Sequence, residues 1–211
     1  MIRALALAAV LPGCFLVKKD DDAVACPRDR VVSLGLQEEV GKVAGCSHLS
    51  GFEIRTGATV DVTPLRELEE ISGDLSIGPT VGVDSISFNG LLRVGGTIRV
   101  VSNSSLRGLF LPRLESVGRI EVENNVVLTT ISVPRLAAVQ NSIVIANNPA
   151  LELISAGVLS SVGGELVIVD HPKLNLVELP RVRQLQAVRL ENNPKLPAEV
   201  ADQLRAAAQS P

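Results

Sequence analysis

Apolar residues return along this chain at a nearly constant step. The second apolar residue of each short alternating segment falls at Ile54, Ile77, Val100, Val122, Ile145, Ile168 and Leu190, spaced 23, 23, 22, 23, 23 and 22 residues apart. Two places earlier stand Phe52, Leu75, Ile98, Ile120, Ile143, Leu166 and Val188. Every repeat therefore carries an apolar-x-apolar pair, the alternation of a short strand with one face in a core. A second column, Leu68, Leu91, Leu114, Leu136, Leu159 and Val182, keeps the same step, with Ile71, Val94, Val117, Val139, Val162 and Leu185 three residues on. A third begins at Leu106, Leu128, Leu151, Leu174 and Leu196 and continues through Leu109, Ile131, Ile154 and Val177. A period this regular predicts a chain that winds. Each turn of 22–23 residues buries about six aliphatic side chains worth ~1.5–3 kcal/mol apiece, provided the next turn lies against it. Stability is then nearest-neighbour and the ends need lids. The fold class read from this pattern is mainly β, a solenoid of about seven turns.

The corners carry their own signal. Three residues past each strand anchor come Asn103, Asn125, Asn148, His171 and Asn193. Asparagine tolerates left-handed backbone and bonds nearby main-chain groups. Stacked turn upon turn, these amides are expected to form a ladder that satisfies buried corner groups. His171 occupies an asparagine slot, so its reading is structural, as is that of His48. The ends resemble lids. Leu36, Val40 and Val43 follow i, i+4, i+7 spacing and predict a short helix over the first turn. Beyond Leu196, Pro197 opens a helix in which Val200 and Leu204 face the last turn, with Ala207 and Ala208 one turn further.

Several segments resemble one known family. Cys46-Ser-His-Leu-Ser-Gly51-Phe-Glu-Ile54 is similar to the C-x-x-L-x-G-x-L-x-I opening of the receptor L domain, and Leu68-Glu-Glu-Ile71-Ser-Gly73-Asp-Leu75-Ser-Ile77 matches its L-x-x-I-x-G-x-L-x-I turn. Residues 91–100 and 159–168 agree, with Gly95-Gly96 and Gly163-Gly164 before the strand, whereas two turns carry Gln140-Asn141 and Leu185-Gln186 there. The resemblance covers residues 26–196 and implies a right-handed, leucine-rich-repeat-like β-helix. It implies a binding scaffold rather than a particular ligand. The cysteine-rich modules that accompany receptor copies are missing, which removes any kinase-receptor role.

The first 25 residues read as an export segment. Met1, Ile2 and Arg3 precede an apolar run, ALALAAVLPGCFLV, that ends at Lys18-Lys19 and three aspartates. It falls short of the ~20 residues a spanning helix needs and suits a signal peptide. Within it, Leu11-Pro12-Gly13-Cys14 resembles a bacterial lipobox, which implies acylation of Cys14, a membrane contact through the lipid, and, because Phe15 rather than Asp follows, delivery to the outer membrane. The alternative is a soluble secretory signal cut after Ala23-Val24-Ala25. With Cys14 lipidated, Cys26 and Cys46 remain for a disulfide in an oxidising compartment; the alternative is two reduced, buried cysteines. Residues 26–196 then form the solenoid and 197–211 the closing helix.

Composition narrows the function. Four Phe with no Trp or Tyr leave no stacking platform for single-stranded nucleic acid. Twenty basic against 23 acidic side chains, net −3, provide no bulk field for a polyphosphate, so nucleic acid is not an expected partner. No metal-ligand spacing, phosphate loop or nucleophile elbow occurs, so no catalytic residue, metal or cofactor is assigned. Acidic Glu67, Glu69 and Glu70 stand on a turn without a partner motif; a β-helical polysaccharide-cleaving enzyme is the weakest alternative. Function is then expected on outward strand positions. The column Glu53, Ser76, Arg99, Glu121, Val144, Val167 and Arg189 turns apolar at its middle. Val144, Ala146, Val167 and Val169 form a candidate patch rimmed by Arg99, Glu121, Arg189 and Glu191, suited to a protein or envelope component. Ordinary β-branched preference on an exposed sheet explains the same residues. Arg113, Arg135 and Arg181, each after a proline, read as a solvated row or a contact for acidic glycan or lipid head groups. A structural, self-associating spacer is the competing function, and the oligomeric state is open.

Overall fold

The computed structural model describes residues 26–208, so Cys14 and the lipobox-like segment lie outside the described residues. The chain winds as a β-solenoid of about seven turns. One long parallel sheet runs through eight strands in chain order: Val31–Leu34, Gly51–Thr56, Leu75–Thr80, Arg93–Val101, Ser116–Glu123, Ile143–Ala146, Glu165–Val169 and Ala187–Glu191. Its register is the one the sequence columns require, with Ile54 beside Ile77, then Val100, Val122, Ile145, Ile168 and Leu190 in succession. A second parallel sheet of five short strands stacks Ile86, Leu109, Ile131, Ile154 and Val177. Two-residue pairings stack Leu49, Ile71, Val94, Val117, Val139 and Val162 as a third flank. Each turn thus directs three apolar stripes inward, and the anchors of the central turns are buried.

The turns approach so closely at one corner that side chains are excluded. A Cβ on Gly163 would stand 2.0 Å from the carbonyl oxygen of Gln140, and one on Gly95 2.1 Å from that of Ser72. This is the physical reason for glycine before the strand in the repeat.

The ends differ. At the amino end Cys26 and Cys46 are joined in a disulfide with Cα atoms 5.4 Å apart. Helix α1 spans only Gln37–Gly41 and buries Val40, with Val43 buried just beyond. Leu36 departs from the expected helical face: its backbone is extended and its side chain exposed. A five-residue helix has too few turns to carry an i to i+7 stripe, and the Glu39 carboxylate starts it by accepting from the N–H groups of Gly35 and Leu36 at 2.6 and 2.9 Å. At the carboxyl end α2, Ala198–Ala208, buries Leu204 against the last turn and leaves Val188 and Leu190 half-buried.

Candidate binding surfaces

Because the interior is filled by aliphatic stripes, chemistry has only corners and outward strand positions to use. The best-organised corner follows the long sheet. There Asn103, Asn125, Asn148 and His171 are fully buried. Asn103 Nδ2 donates to Asn125 Oδ1 at 2.8 Å, and Asn125 Nδ2 to Asn148 Oδ1 at 3.0 Å. Each also donates to the carbonyl of a strand anchor one turn below, Asn103 to Ile77, Asn125 to Val100, Asn148 to Val122 and Asn193 to Ile168. Thr80 begins the ladder by donating to Asn103 Oδ1 at 2.7 Å, a member that the asparagine column does not disclose.

His171 performs the same two tasks with an imidazole. Its Nδ1 lies 3.3 Å from the Asn148 nitrogen and 3.2 Å from the Asn148 carbonyl oxygen, while Nε2 lies 3.1 Å from the Ile145 carbonyl; in the neutral ring the proton on Nε2 donates to Ile145 and Nδ1 accepts from the Asn148 N–H. Burial holds its pKa below the ordinary histidine value. A buried imidazole with both ring nitrogens at main-chain groups serves as a rung of the ladder.

Just outside this ladder runs a second one. The residue before each rung takes left-handed backbone: Ser102, Asn124, Asn147, Asp170 and Asn192, with φ between 52° and 64°. Asn147 Nδ2 donates to Asn124 Oδ1, and Asn192 Nδ2 to Asp170 Oδ1, both at 2.6 Å. The doublets Asn124-Asn125, Asn147-Asn148, Asp170-His171 and Asn192-Asn193 carry that signal in the sequence. An open groove of about 600 Å³ follows this corner, lined by Asn147, Asp170 and Asn192 with Pro149, Pro172 and Pro194.

On the long sheet the expected outward column is brought together on one face, but its exposure is uneven. Val144 and Ala146 are half-buried, whereas Val167 and Val169 are only 8% and 5% exposed, which corrects their placement as open surface. Both lie on one central strand, between Val144 and Ala146 on one side and Arg189 and Glu191 on the other. Neighbours one strand spacing away, about 4.8 Å, cover a short β-branched side chain even on the solvent face. The polar frame is paired internally: Glu121 is held by Arg99 and Arg119, each at 2.8 Å, and Arg189 lies 3.4 Å from Glu191. Arg113, Arg135 and Arg181 are exposed and take no part in the ion pairs among the described residues.

On the third flank His48 Nε2 lies 3.0 Å from Glu70, and Ser47 Oγ 3.2 Å from His48 Nδ1. Ser47 and His48 are exposed and Glu70 partly so, and a contact in such a place contributes little to stability. Among the described residues no group of three or more His, Cys, Asp or Glu is gathered to hold a metal ion, and no helix is long and apolar enough to cross a membrane. No protein-family model, curated protein or solved structure matches the chain.

Proposed function

We propose that this chain is an exported, non-catalytic lipoprotein of the receptor L-domain type, tethered to the outer membrane through Cys14, whose long sheet presents its outward face to a protein or envelope component. The observation that carries the reading is that face: an apolar centre of which Val144 and Ala146 are partly exposed and Val167 and Val169 covered, flanked by Arg99, Glu121, Arg189 and Glu191, each of which has an ion-pair partner. An apolar centre with a charged rim is the arrangement of a protein contact, in which the centre is covered and the rim stays solvated. Two measurements test it. Palmitate labelling of the full-length chain in a bacterial host is expected to vanish in Cys14→Ser; retained label refutes the anchor. Cross-linking to native envelopes is expected to yield one specific partner that is lost in Val144→Asp while thermal unfolding is unchanged; the same partner in both proteins refutes the face. Val144 is the position for this change because Val167 is covered.

A specific observation favours self-association as a second reading. Among the described residues the first strand, Val31–Leu34, is an open sheet edge, and Val31 on it is 62% exposed. Open edges invite strand pairing between copies. Equilibrium sedimentation separates the readings: a dimer weakened by Val31→Lys supports the spacer, and a monomer throughout excludes it.

A further inference from the structure

The outer ladder is interrupted between Asn147 and Asp170, in the proline-lined groove. In this ladder the side chain of the later turn donates to that of the earlier turn, Asn147 to Asn124 and Asn192 to Asp170. Between them the residue at 170 would have to donate to Asn147 Oδ1, but a carboxylate has no hydrogen to give. No protein donor among the described residues reaches Asn147 Oδ1, and Asp170 uses one oxygen for Asn192 and leaves the other open. Two acceptors on adjacent turns, one of them charged, therefore open onto the same groove. Among the described residues Asp170 is the only ionisable one lining it.

We propose that this gap is a docking site for an arginine side chain of a partner protein. A guanidinium is a planar fork of five donors and carries the charge that Asp170 lacks opposite it; a neutral hydroxyl fills the donor role but leaves the carboxylate unpaired. The three proline rings offer apolar walls to the methylene stem and the guanidinium face. The left-handed backbone and the inner ladder hold the acceptors in place, so little ordering is required on binding. Lys173 and Lys195 follow two of the prolines and are exposed, which favours acidic residues on either side of that arginine. The site borders the strand face at Ala146 and Val169 but does not depend on that face being the binding surface.

The test is a 15N-HSQC titration of the protein with a blocked Glu-Arg-Glu tripeptide and its citrulline counterpart. Saturable shifts are expected at the side-chain amides of Asn147 and Asn192 with the arginine probe and none with citrulline. Asp170→Asn is expected to weaken arginine binding by at least about tenfold, the worth of a charge-assisted bond. The same variant is expected to raise the melting temperature, because the new amide donates to Asn147 Oδ1 and closes the ladder. Equal binding of citrulline, unchanged affinity in Asp170→Asn, shifts located elsewhere, or a lowered melting temperature in that variant would each overturn the proposal. Val144→Asp should leave the tripeptide affinity unchanged, so that failure of the strand-face reading and failure of this one are told apart.

Discussion

Asn125→Ala is the sharpest probe of the inner ladder. The Asn125 amide donates to Val100 O, Glu123 O and Asn148 Oδ1 at 3.0, 3.1 and 3.0 Å, and accepts from the N–H and Nδ2 of Asn103 at 3.2 and 2.8 Å. Removing it strands partners unequally. Glu123 O keeps the Ser102 N–H, and Asn103 Nδ2 keeps Ile77 O. The buried Asn103 N–H loses its acceptor, whereas the Val100 carbonyl, in the paired strand Arg93–Val101, loses one donor. At about 1–3 kcal/mol for the orphaned N–H, with the lost amide bonds and a small void added, the loss is about 3 kcal/mol. For a chain of this size that lowers the melting temperature by roughly 6–12 °C. Urea and thermal unfolding followed by circular dichroism measure it, with an unchanged m-value as the check that the transition stays two-state. Asn124→Gly is the control: it is exposed, tolerates the left-handed conformation, and should lose under about 1 kcal/mol. A loss below about 1 kcal/mol for Asn125→Ala would refute the view that the ladder supports the corner.

Three further perturbations probe the histidine rung and the two ends of the solenoid. His171 is held neutral, its folded pKa below the unfolded value, so its contribution is complete above the unfolded pKa near 6.5 and is lost as pH falls through the folded one; urea midpoints between pH 7 and 4 should fall more steeply in the wild type than in His171→Asn, and parallel profiles would contradict this. Replacing Cys26 and Cys46 together by serine should lower stability by about 3 kcal/mol through the closed loop alone, a sequence separation of 20 residues; an unchanged unfolding midpoint under oxidising conditions would count against it. Ending the chain after Pro197 uncovers the last turn where Leu204 packs, and should cost about 2 kcal/mol or more with reduced solubility; thermal unfolding indistinguishable from that of the full chain would show that α2 is no lid.

What the sequence discloses here depends on whether an effect is local to one turn or shared between turns. The 22–23-residue step placed Ile77, Val100 and Val122 on one inner stripe because register between stacked strands is fixed by side-chain alternation. The column of Asn103, Asn125 and Asn148 disclosed the ladder for the same reason. Exposure was not legible. Alternation puts Val167 and Val169 on the outer side, but their accessibility is set by Arg189, Glu191 and Val144 on other strands. Leu36 was misplaced because periodicity ignores helix length and the Glu39 cap. Asp170 is conspicuous only once its neighbours' donor direction is known, since in sequence it is one more polar residue beside a histidine.

The inner ladder also governs how such a chain can change size. Each rung hands its donor and acceptor to the rung on either side, so a cut between two rungs heals only when the inserted piece brings its own complete set. Length is therefore quantised: duplicating residues 126–148 should extend the rod by one strand spacing, about 4.8 Å, and keep it foldable. An insertion of a few residues is tolerated only where it bulges from a corner, leaving the count of rungs unchanged.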